Sequence, residues 1–489
     1  MMSQPGNIRI ALIGGGGVRT PLLIFGIGEA EKQLGAGELV LYDPDADRVR
    51  IMAELGRAIV ARQGGQLRIR IAASAEDAIE GAAFVLNSIR VGGIDSRARD
   101  ERTAMANDYP GQETTGPGGV AMALRTVPVA LQYARMVETL SPNAWLINFT
   151  NPAGLVTQAI TQHTRARVVG ICDTPDELFH RIAEALGVVP DRVQCDYLGL
   201  NHLGWVRRVL LDGTDVTADL LQDSAALTKL DSSGLFDPEL LRSLKLIPSE
   251  YLYFYYSRRR ALANQRAVGA TRGEEIVRLN DTLLTKLAKH IGAREPESAL
   301  EVYTAYLNQR SNSYMKLEAH GGSAFNEKAM PDQDPFRAAT GYHRIAIHVM
   351  KALSGSEPQR IVVNVQNRGA IADIADDDVV EVPCMIAKHT IHREACGPLP
   401  EAVRGLVLSV KAYEHAAIAA ARTGSWQAAR KAMLLYPPIG EWEPSGTLLG
   451  EMVGHDPSLQ YLRESLAGSA AQTTEAATVQ EQQSQKNAE

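Results

Sequence analysis

The chain has 489 residues and a formal net charge of −7, from 50 Lys and Arg against 57 Asp and Glu. No Lys/Arg block stands out, which removes the electrostatic case for nucleic acid or an anionic membrane as partner, and no apolar run approaches the roughly 20 residues that cross a bilayer. Cys172, Cys195, Cys384 and Cys396 are too few and too scattered for a disulfide framework, and MMSQPGN leads into an apolar strand without a signal-peptide pattern, so a reducing cytoplasm is expected.

In chain order, IRIALIG, ELVLYD, AAFVLNS, AWLINF and RVVGIC read as short strands rich in Val, Ile and Leu. Gly, Asn or Asp bounds each of them, as expected of parallel strands buried on both faces. Helix-like segments such as TPLLIFGIGEAEKQL separate them, so residues 7–195 are expected to form a Rossmann-type doubly wound parallel sheet. From residue 196 the pattern changes. EEIVRLNDTLLTKLAKHI and YHRIAIHVMKALSG are amphipathic helices, IVVNVQN and DDVVEVPCMI look like strands of a second sheet, and 402–435 is helical. The expected whole is an α/β protein with a second, α+β domain over 196–466. The tail 467–489 has almost no large apolar residues to offset its ordering entropy and reads as disordered.

The first strand ends in GGGGVRTPLL: Gly14, Gly15, Gly16 and Gly17, then Val18 and Arg19, with Thr20 as the expected N-cap and Pro21 at N1. Glycines allow a tight turn and let backbone N–H groups approach a pyrophosphate at a helix N-terminus. The third glycine of the usual G-x-G-x-x-G is missing. Asp43 ends the second strand, where an acid accepts the ribose hydroxyls of NAD and repels a 2′-phosphate.

Cys172 ends a strand-like run at the ligand-binding edge of such a sheet. Each alone, Cys172 and His202 of GLNH read as a core thiol and a structural histidine. Together they offer thiolate and imidazole, which suit a borderline divalent metal and leave positions open for substrate oxygens. NFTNPAG, from Asn148 to Gly154, is a proline-stiffened platform for hydroxyl-rich or metal-bound ligands. Arg90 and Arg97 offer forks for a phosphate or carboxylate, or surface ion pairs with Asp100 or Glu101. Gly111–Gly119, too glycine-rich for helix or strand, is a candidate loop over the site.

These motifs, with RVGGIDSRARDE, GQETTGPGG, PSEYLYFYY, TRGEE and VVNVQNRGAIADIADDDVVEVP, give the chain a resemblance to glycoside hydrolase family 4. These NAD- and divalent-metal-dependent glycosidases depart from the paired-carboxylate mechanism. The chain is most similar to the branch acting on 6-phospho-β-glucosides such as cellobiose 6-phosphate. The resemblance implies a lactate/malate dehydrogenase-like superfold, a homodimer or homotetramer, and an elimination–addition route. NAD oxidises C3 of the sugar, a base removes the acidified C2 proton, the aglycone leaves, water adds, and the hydride returns.

By motif, Cys172 and His202 would ligate manganese and Asn151 would hold sugar oxygens. Tyr251 would be the base, with Tyr255 one helical turn on as the alternate, and Arg97 and Arg272 would grip the 6-phosphate. Asp173 departs from the β-branch, which commonly has Asn there; α-specific members use Asp as general acid, and a helix cap is the structural alternative. A 6-phospho-α-glucosidase or glucuronidase therefore stays open, as does a uronate carboxylate in place of the phosphate. A 2-hydroxyacid dehydrogenase would share the N-terminal fold but would require a His/Asp pair and no metal thiolate. A non-enzymatic NAD sensor would have no use for Tyr251 or Asn151.

Overall fold

The computed structural model describes residues 8–312, 334–338 and 340–462; the tail expected from residue 467 lies outside them. Strands β1 (Ile8–Ile13), β2 (Ala36–Tyr42), β3 (Arg68–Ile71), β4 (Phe84–Asn87), β5 (Trp145–Asn148) and β6 (Arg167–Gly170) pair in parallel in the order β3-β2-β1-β4-β5-β6. This is the expected doubly wound sheet, and its switch point lies between β1 and β4. The strands are apolar because helices cover both faces: Ile10 to Ile13, Val85, Leu86, Leu146 and Ile147 are buried. The register sets the ligand edge. Ile13 pairs with Tyr42 and with Asn87, Asn87 with Asn148, and Asn148 with Gly170. The turns that follow therefore leave the sheet side by side.

The second half corrects one expectation. Its strands β7 (Val193–Leu200), β8 (Leu203–Leu211), β9 (Thr214–Asp215), β10 (Ile247–Pro248), β11 (Gln359–Gln366), β12 (Val379–Ala387) and β13 (Thr390–Arg393) belong to the same sheet, which has 13 strands. Antiparallel pairing continues the sheet beyond β6, in the order β6-β11-β12-β7-β8-β10. The two joins are narrow: Asn364 against Gly170, and Glu381 against Gly199. Strand periodicity reports which residues are buried and not which strand lies alongside, so the continuity was invisible in the sequence. β7 runs across position 195.

Three local differences follow from backbone geometry. Arg19, not Thr20, is the N-cap of the helix Thr20–Glu29, and no side chain caps its first turn. The start of Gly111–Gly119 is a loop, but Pro117 opens the helix Pro117–Leu140; its glycines serve close packing, since Cβ atoms on Gly118 and Gly119 would fall 2.3 Å from the carbonyl oxygens of Gln112 and Thr114. The expected helix 402–435 is two helices, Glu401–Thr423 and Trp426–Leu435, divided at the left-handed Gly424. No helix among the described residues is long and apolar enough to cross a membrane.

Candidate active site

The glycine turn after β1 is built for close approach. Gly14 has φ +88°, and a Cβ there would lie 2.3 Å from the Ser88 carbonyl oxygen, so only glycine fits. The Gly14 and Gly15 amides donate to the Tyr42 carbonyl, both at 2.9 Å, and Gly16 N donates to Asp43 Oδ2 at 2.9 Å. Asp43 thus stands against the turn. The Val18 carbonyl accepts from the Tyr303 hydroxyl at 2.7 Å. The Arg19 guanidinium lies 4.8 Å from the centre of the Tyr342 ring.

Cys172 is buried, with its thiol on the Thr174 hydroxyl at 3.4 Å. Burial, then the charges of Glu381 and Asp173, push that thiol well up. Asp173 occupies the N-cap position of the helix Thr174–Leu186 but makes no capping bond, which disfavours the cap reading. Burial pushes its carboxyl up to about 6, opposed by Arg19 and assisted by Glu250 and Asp176. At that value the carboxyl keeps its proton up to about pH 6 and is largely ionised at pH 7.

His202 sits in the two-residue turn between β7 and β8 with φ +61°, a conformation costing about 1–3 kcal/mol in a non-glycine residue and frequent at functional sites. Thr114 meets its Nδ1 at 3.0 Å, while Nε2 is buried with no hydrogen-bond partner among the described residues. Burial pushes the ring down to about 4, so it is neutral at pH 7 with one nitrogen to offer. The chemistry fits a metal: a thiol, a neutral imidazole with an orphaned nitrogen, and no third protein ligand, since no group of three His, Cys, Asp or Glu suited to a metal occurs among the described residues. Asn201, its neighbour, donates to Glu381 Oε1 at 3.1 Å.

Tyr251 stacks on the His202 ring at 3.7 Å and 10°. Tyr255 instead shares a hydrogen bond of 3.0 Å with Tyr436, and Tyr253 is fully buried beside Phe254. Tyr342 has Asp173, Cys172, Arg19 and Tyr251 in electrostatic reach of its hydroxyl. No local signal in the sequence singled out Tyr342. In NFTNPAG, Asn148 is spent inside the turn, on Asn87, Thr150, Ala153 and Thr157, and Asn151 is joined to Pro152 by a cis peptide.

Arg97 is buried, not a surface group. Its Nε donates to Glu101 at 2.7 Å and its Nη1 lies 2.9 Å from Glu113, which Arg90 also reaches at 2.8 Å. Burial opposes ionisation of Glu113, but Arg97 and Arg90 hold it below the usual carboxylate range. Glu101 also accepts from Gly273 N at 2.6 Å, so one carboxylate joins Arg97 to the start of the helix Arg272–Gly292. Arg272 pairs with Glu275 at 2.6 Å and donates to the Arg310 carbonyl at 2.9 Å. Arg310 was not foreseen; burial pushes its guanidinium down to about 10, helped by Arg19 and Arg272 and opposed by Tyr306. Arg310 is thus electrostatically coupled to Arg19 and Arg272, and Glu113 of the expected loop to Arg97, Arg90 and Arg310.

The chain matches the family 4 glycosyl hydrolase over residues 9–188 and the family 4 glycosyl hydrolase C-terminal domain over 197–439. It is 33% identical over 457 residues to a probable 6-phospho-β-glucosidase of Bacillus subtilis, covering 91% of this chain and 96% of that one. It is 30% identical over 472 residues to the 6-phospho-β-glucosidase of Escherichia coli, covering 92% and 95%. The 6-phospho-β-glucosidase of Thermotoga maritima, solved with manganese, NAD+ and glucose 6-phosphate, superposes with a TM-score of 0.74 at 26% identity, covering 92% and 98%. The chain belongs to family 4 of the glycosyl hydrolases.

Proposed function

We propose that this enzyme hydrolyses 6-phospho-β-glucosides such as cellobiose 6-phosphate, with NAD and Mn2+ as cofactors. The observation that carries the reading is the buried, neutral His202, with its Nε2 unpartnered among the described residues and Tyr251 stacked on its ring, in a chain whose relatives carry that activity by name. When bound, the cofactors supply a reversible hydride acceptor and a Lewis acid beside a developing oxyanion. Gly14–Gly17 and Asp43 would hold NAD; Cys172 and His202 would hold the metal. Asn151 positions sugar hydroxyls, and Arg97 and Arg272 bind the 6-phosphate. Tyr251 takes the proton from C2, and Asp173, raised to about 6, gives one to the departing oxygen.

The raised Asp173 also favours a second reading, a 6-phospho-α-glucosidase. A direct assay separates them. Protein with NAD, Mn2+ and reductant is given α- and β-nitrophenyl glucosides, each with and without a 6-phosphate. Sustained nitrophenol release from the phosphorylated β-anomer without net NADH is expected. Release from the α-anomer alone, or from unphosphorylated glucosides alone, overturns the assignment. The same reading makes the protein a cytoplasmic homodimer or homotetramer without nucleic-acid partners. Its NAD-binding domain is 7–195, and its substrate, metal and oligomerisation domain is 196–466.

A further inference from the structure

VVNVQNRGAIADIADDDVVEVP was singled out in the sequence, but none of its residues has so far been given a task. Two of them, Asn364 on β11 and Glu381 on β12, occupy the two narrow joins of the sheet, opposite Gly170 and Gly199. Cys172 follows Gly170 by two residues and His202 follows Gly199 by three. The relative placement of Cys172 and His202 is therefore set at these joins.

Glu381 is 1% exposed and both its oxygens are engaged. Oε2 accepts from Tyr197 at 2.7 Å, and Oε1 accepts from Asn201 at 3.1 Å and Asn364 at 2.9 Å. Three donors on two oxygens suit the ionised carboxylate, which only accepts. No Lys, Arg or His pairs with it among the described residues, although a buried charge ordinarily requires such a partner. The packing leaves no slack. A Cβ on Gly154 would lie 2.9 Å from Asn201 Cβ, and one on Gly170 would lie 2.8 Å from Asn364 Cβ. Resting on the metal reading of Cys172 and His202, the missing cation has a natural identity. One thiolate and one imidazole leave a divalent ion with a positive charge in excess.

We propose that Glu381 is the positioning residue and counter-charge of the metal site. Through Asn364 it locks the strand that leads to Cys172, through Tyr197 and Asn201 it locks the hairpin that carries His202, and its charge balances the ion from behind Asn201.

The test is Mn2+ binding, read by the electron paramagnetic resonance of free Mn2+, alongside NAD binding by calorimetry. Glu381→Gln is expected to lower Mn2+ affinity by about 10- to 100-fold with NAD affinity unchanged. Glu381→Asp, shorter but charged, is expected to retain more Mn2+ affinity than the isosteric Gln. A merely structural carboxylate gives the reverse order, and equal, wild-type affinity in both variants equally overturns the proposal. Should Glu381→Gln not fold, Tyr197→Phe decides: a several-fold loss for Mn2+ alone supports the proposal, and no loss overturns it. Wild-type protein that fails to bind Mn2+, or a Cys172→Ser variant that binds it normally, sinks the metal reading itself, and this inference with it.

Discussion

His343 follows Tyr342 into the helix Tyr342–Ser354, buried, with Nε2 unpartnered among the described residues. Burial, then Arg344 and Arg19, push it down to about 4, against a backbone bond that pulls it up. The depressed folded value fixes the sign: its contribution to stability is complete above about pH 6.5 and is lost as pH falls through about 4. His343→Gln should therefore flatten the fall in stability over that window by about 1.4 kcal/mol per pH unit, measured by denaturant unfolding against wild type. Parallel curves would show that His343 takes up its proton while folded. At the same scale, Tyr251→Phe should lower kcat by about 10²–10⁴-fold with little change in substrate affinity, and Tyr255→Phe, whose hydroxyl is turned to Tyr436, should not. The opposite ranking would move the base by one turn. The residues legible in the sequence were those with a local signature, such as Cys172 at a strand end and His202 after Asn201. Tyr342, Glu113 and Arg310 were not, because their importance lies in what chain topology brings beside them.

The glycine turn and β2 act as one element. Asp43 closes it by accepting from Gly16 and from Asp45 N, the latter at 3.0 Å. Asp43→Ala should weaken NAD binding by about 1.5–3 kcal/mol, the worth of a charged hydrogen bond, as read by titration calorimetry; unchanged affinity would remove Asp43 from the cofactor site. The turn was legible because consecutive glycines between a buried strand and an apolar helix have few other uses. The cap was misread by one residue because Arg19 already has helical φ and ψ, which no side-chain preference reveals. The stretch before Pro117 was legible as a loop but not as a hydrogen-bonded unit. Gln112 Oε1 accepts from Thr114 N and Thr115 N, both at 2.6 Å, and this carries the Thr114 hydroxyl to His202.

At the scale of the molecule, the helices Gly93–Ala106 and Pro117–Leu140 are tied to the C-terminal region by a buried triad. Arg125 donates to Asp456 Oδ2 at 3.0 Å and to both carboxylate oxygens of Asp100, three residues from Arg97 on the same helix. Arg125→Met leaves two buried carboxyls without their cation and should cost about 3–5 kcal/mol, seen as a lowered unfolding midpoint; an unshifted midpoint would show that the triad adds nothing net. The doubly wound half was legible from strand composition. Its extension into a 13-stranded sheet was not, because single-pair joins leave no trace in periodicity. The central claim, that this architecture removes a C2 proton instead of displacing at C1, meets its most direct test in a substrate deuterated at C2 and turned over in ordinary water. Loss of the label from the released sugar 6-phosphate is the predicted result; full retention at C2 would contradict the account.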